Sequence, residues 1–129
     1  MIRQPRAFAA PLALAALLLA STAVAARADA PVVEAAEARR TGDAWSISAT
    51  VRHPDTGWNH YADGWRVEAE DGAELGFREL LHPHETEQPF TRSLSGVTIP
   101  EGTTRVVIRA HDSVHGWGEG FVLELDGGS

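Results

Sequence analysis

The feature that most constrains this chain is a hydropathy alternation of period two that recurs from Val32 to the C-terminus. Trp45, Ile47, Ala49 and Val51 alternate with Ser46, Ser48, Thr50 and Arg52. Trp65, Val67 and Ala69 alternate with Arg66, Glu68 and Glu70, and Val106, Ile108 and Ala110 alternate with Val107, Arg109 and His111. Successive side chains of an extended strand point to opposite faces, so this pattern makes strands with one buried face and cannot make an amphipathic helix. Phe121, Leu123 and Leu125 form another such set, and Leu75 with Phe77 begins one that meets Glu79 at the next inward position, a mark of a bulge or an edge. Leu94, Val97 and Ile99 change phase near Gly96. Val32 to Arg39 is open to two readings, a strand or a short helix built on its Ala-Glu repeats.

The connections sort by length. Thr41-Gly42-Asp43, Asp71-Gly72 and Pro100-Glu101-Gly102 are short turns with glycine where the chain must reverse. The segments 53–63, 82–91 and 111–118 are long and irregular. Short strands separated in this way, about seven of them, predict a single antiparallel sandwich of the immunoglobulin or fibronectin-III kind. If the strands run up and down, the three long segments gather at one end, where such sandwiches place binding loops.

The N-terminus predicts export. Arg3 and Arg6 precede an apolar run from Phe8 to Ala20, and Ala26-Arg27-Ala28 is a small-residue cleavage pattern. Residues 1–28 are therefore expected to be a secretion signal and residues 29–129 the sandwich domain, periplasmic or secreted. The apolar run is short for a permanent span, and no cysteine stands near the cut to carry a lipid. The expectation is a mature chain without membrane contact. Removing the signal also removes Arg3, Arg6 and Arg27, which takes the formal charge from −7 to about −10 and argues against nucleic acid as a partner.

There is no cysteine, and the one methionine is the initiator. The domain must stand without a disulfide, and thiolate or thioether ligation is excluded for it. The six histidines nevertheless fall in a pattern: His53 and His60, His82 and His84, His111 and His115, two at each long segment. His82-Pro83-His84 places two imidazoles two residues apart, on one side of an extended chain. His111 and His115 flank a glycine-bearing turn. Imidazole suits Zn and Cu(II), so His82, His84, His111, His115 and His60 are the expected metal ligands, with Asp112 or Asp63 adding oxygen. His53, followed by Pro54, reads as a strand terminator, and Asp112 could instead tie down the loop after its strand.

Two further functions are open. Trp58, Tyr61 and Trp117 lie in the same loops and could receive a peptide or glycan in place of a metal. Three imidazoles on zinc with an open fourth position would permit hydrolase or hydratase chemistry. No phosphate loop or zinc-protease helix motif is present, and the expectation leans to a binding protein, with a metal ion and another exported protein as its partners, over an enzyme.

The runs Trp58-Asn59-His60-Tyr61-Ala62-Asp63, Leu81-His82-Pro83-His84 with Glu87-Gln88-Pro89-Phe90-Thr91, and His111-Asp112-Ser113-Val114-His115-Gly116 resemble those of a small family of exported bacterial proteins, a resemblance that brings no activity with it. In architecture a histidine-bearing sandwich is also similar to copper–zinc superoxide dismutases and to periplasmic copper carriers. This chain lacks the cysteines of the former and the mature N-terminal histidine of the latter, so that similarity stops at the fold.

Overall fold

Each alternating segment forms a strand in the computed structural model, which describes residues 30–125. The expected signal segment, 1–28, lies outside the described residues. The strands are β1 (Val32–Thr41), β2 (Ala44–Arg52), β3 (Ala62–Glu68), β4 (Glu74–Glu79), β5 (Phe90–Val97), β6 (Arg105–Asp112), β7 (Gly116–Trp117) and β8 (Phe121–Glu124). Seven are those expected; the additional one is the two-residue β7. The segment open to two readings is strand: β1 pairs with β2 along its whole length, and a bulge between Val33 and Ala35 moves the inward phase to Ala36 and Ala38.

All pairs are antiparallel, and they form two sheets. One has the order β1-β2-β5; the other has the order β4-β3-β6-β7, with β8 also on β6. This is an all-β sandwich of the immunoglobulin or fibronectin-III type. The inward residues of the central strands form its core: Trp45, Ile47, Ala49 and Val51 from β2, Trp65 and Val67 from β3, and Val106, Ile108 and Ala110 from β6. Outside, Ser48 bonds Ser93 and Thr50 bonds Thr91, each at 2.8 Å, as short polar pairs facing water across β2 and β5. The phase change at Gly96 occurs at φ 70, in the left-handed region that favours glycine, opposite a register shift between Trp45 and Ile47.

Two inward positions depart from the apolar rule. The buried series of β2 runs on from Val51 to His53, and that of β6 from Ala110 to Asp112. One sheet supplies the histidine and the other the aspartate. They stand at the strand ends from which the long connections leave.

Candidate metal centre

Asp112 is the centre of this cluster. As the last residue of β6 it keeps the inward phase, and its side chain is completely buried. A buried carboxylate must be paired or hydrogen-bonded to persist, and its two oxygens divide the work. Oδ1 accepts from the amides of Val114 (2.6 Å) and His115 (3.1 Å), closing the turn that Gly116, at φ 86, reverses into β7. Oδ2 accepts from three imidazoles: His53 Nε2 at 2.7 Å, His60 Nε2 at 2.9 Å and His115 Nδ1 at 3.1 Å. Burial alone pushes this carboxyl up. The bonds from the Val114 amide, the His115 and His60 rings and the His115 amide outweigh it and hold Asp112 well below the usual carboxylate range.

His53 joins Asp112 to a second buried carboxylate. Its Nδ1 donates to Asp55 Oδ1 at 2.6 Å, and neither side chain is exposed. Asp55 is fixed in turn by the amides of Ala62 (3.0 Å, to Oδ1) and His84 (2.7 Å, to Oδ2). His60 is delivered by a small turn in the β2–β3 connection, where its amide donates to Gly57 and Gly57 takes φ 126. Reciprocal bonds between Tyr61 and Ser113 lash that connection to the β6–β7 turn.

One donor atom each from His53, His60 and Asp112 lies within 4.8 Å of the others, the one such group of three among the described residues. The cluster has a closed back, His53 and Asp112, and an open front, since the His60 and His115 side chains are 22% and 35% exposed. The cluster can coordinate a metal through two imidazoles and a carboxylate, with His115 beside them.

The other expected residues go elsewhere. His84 is buried, stacked on Phe90 at 3.9 Å, and accepts from Arg92 at 3.0 Å. Burial, then the charge of Arg92 and of His82, lowers its pKa. His82 is exposed beside it, with ring centroids 4.7 Å apart. His84 is tied to the cluster through Asp55 and through Gln88, whose side chain accepts from the His53 amide and donates to the His84 carbonyl. His111 is out of phase with the core of β6 and faces the outside of the sheet, bonded to Asp63 at 2.5 Å and edge-on to Trp117 at 4.7 Å. The Gly116 turn thus leaves His111 and His115 on different partners. Trp58 is 66% exposed and packs edge-on against Tyr61. His53 is the member that sequence reasoning passed over. Its signal was available: it continues the apolar alternation of β2 by one more step, where a terminator would turn to solvent.

Comparison with known proteins finds a relative in sequence and a similarity in structure. No protein-family model matches the chain. A protein of Halomicrobium mukohataei, provisionally named a lipoprotein, is 45% identical over 102 residues, 78% of this chain. The chain spans half of that relative's length. A crystal structure of a hypothetical protein from Pyrococcus horikoshii is similar over 75% of this chain and 88% of its own, with a TM-score of 0.49 and 18% identity.

The relative corrects one expectation. A mature chain without membrane contact was inferred from a short apolar run and an absent cysteine, and both concern these 129 residues alone. Lipoproteins are held at the bilayer by buried acyl chains, each CH₂ contributing about 0.8 kcal/mol. A relative named in that class removes the ground for excluding the membrane.

Proposed function

We propose that this is an exported protein that binds one divalent transition metal, Zn or Cu(II), through His53, His60 and Asp112, with His115 as a fourth donor from the open side. The observation that carries the reading is the convergence of imidazole nitrogens on Asp112 Oδ2 together with Asp55 behind His53. A carboxylate has no hydrogen to give, so each ring nitrogen facing one must carry a proton or yield to a cation. Asp55 holds the proton of His53 on Nδ1 and leaves Nε2 as the donor to the metal, the carboxylate–histidine–metal arrangement that orients ligands in metalloproteins. Two buried carboxylates carry two negative charges, which one divalent ion neutralises. Donors of a tetrahedral ion stand ~3.3 Å apart, so the observed 2.7 and 2.9 Å separations need only a small opening.

Two imidazoles, a third at the rim and a carboxylate suit Zn and Cu(II) better than Ca or Mg, which prefer oxygen. The exposed front favours exchange, hence buffering, delivery to another exported protein or sensing over a purely structural ion. The lipoprotein name of the relative supports an exported, membrane-associated setting.

The test is thermal unfolding with and without Zn or Cu(II), alongside metal analysis. The native chain should take up one ion and be stabilised by about 2.7 kcal/mol at a hundredfold excess over Kd. The His60→Ala variant, altered at a partly exposed position, should keep the fold and lose that gain. A network that merely pins the loops would give no metal-dependent shift in either protein, and that result would end the proposal.

A further inference from the structure

A cleft separate from the His53–His60–Asp112 cluster lies on the outer face of the β4-β3-β6-β7 sheet. Pairing places Glu79, Gly64, His111 and Trp117 in one row across its four strands. Gly64 has no side chain, and a Cβ there would come within 2.5 Å of the Phe77 ring, which leans over the gap. The β3–β6 register shifts between Ala62 and Gly64, and the residue in that shift, Asp63, is turned outward to meet His111. Bulges re-aim side chains in this way. The result is a cleft of about 300 Å³ lined by Tyr61, Asp63, Phe77, Glu79, Leu80, His111 and Trp117.

We infer that this cleft binds a small organic cation, an alkylammonium or a guanidinium. Its walls are aromatic and its charged groups are carboxylates; neither lysine nor arginine lines it. Ring faces attract cations through their quadrupole, and this wall already does so: the Arg66 guanidinium carbon lies 4.0 Å from the Trp117 ring centroid. Arg66 is answered by Glu68 and Glu74, and Arg109 also by Glu68. Among the described residues no cation pairs with Glu79, so its charge is available to a ligand. A neutral sugar would leave that charge unanswered, and an anion would be repelled. The volume is at the lower end for ligand sites and suits a head group with a short stem.

The experiment is an NMR titration of the protein with agmatine, followed at the Trp117 indole and the Gly64 amide, with glucose and glutarate as neutral and anionic probes. Agmatine should shift both signals saturably; glucose and glutarate should not. Glu79→Gln, at an exposed position that leaves the fold unchanged, should weaken agmatine about fivefold. Gly64→Ala, which drives the Phe77 ring, should weaken it further. His60→Ala should bind agmatine like the native protein, because the metal cluster takes no part. An unsaturable response to agmatine, equal affinity in Glu79→Gln, or equal saturation by glucose would each overturn the inference.

Discussion

At the scale of single residues, Asp112 and His53 show how one side chain can serve structure and chemistry together. Asp112 spends one oxygen on backbone amides and offers the other to imidazoles. Removing a supporting carboxylate behind a metal-bound histidine generally costs 10–100-fold in metal affinity. Asp55→Asn should therefore weaken Zn binding by about that factor, measured by competition with a chelator, while His82→Ala should not change it. The same substitution sets an amide NH₂ against the Ala62 or His84 amide that Asp55 now accepts. It should also lower stability without metal by about 1–3 kcal/mol, visible in urea unfolding. Retention of full metal affinity in Asp55→Asn would deny Asp55 its orienting part.

Elements place these residues by a simple rule with small exceptions. Strand alternation sends His53 and Asp112 inward and His111 outward, and the bulge at Asp63 supplies that outer histidine with its carboxylate. β3, paired on both edges by β4 and β6, carries Trp65, which is completely buried in the core. Trp65→Ala should cost about 3–5 kcal/mol, read from the midpoint of chemical unfolding. A loss under 1 kcal/mol would mean that the core is not centred where the alternation puts it. The β7 strand is too short to have its own hydropathy signal. It exists because Asp112 and Gly116 fold the chain back on β6.

For the whole molecule the buried ionisable groups set the response to acid. The His84 pKa is lowered in the folded state by burial, with Arg92 and His82 adding to it. A histidine depressed in this way binds its proton more readily when unfolded, so its stabilisation is full above about pH 6.5 and is lost as the pH falls below that. Asp112 is depressed as well, and its contribution holds above the unfolded carboxylate range near pH 4 and disappears as the pH drops through its folded value. Unfolding free energy should thus decline in two stages on acidification, first below pH 6.5 and then below about 4. His84→Leu should flatten the first stage and leave the second, as followed by urea titrations across pH 3 to 8. An unchanged first stage in His84→Leu would assign it to other groups.

Alternation is a local property, and it determined by itself the strands, the two-sheet sandwich and the buried tryptophans, while His111, expected in a long connection, belongs to β6. It even carried His53 and Asp112 inward, although the proline after His53 concealed the first of these. What tertiary structure alone decided is which histidine meets which carboxylate. His53 and Asp112 come from different sheets, 59 residues apart in sequence. Their contact depends on how the sheets are stacked and how far each strand runs, quantities that no local period encodes. The same holds for His111 and His115: four residues apart, they part because His111 stands on the outer face of β6, while the turn that Asp112 closes brings His115 back to Asp112.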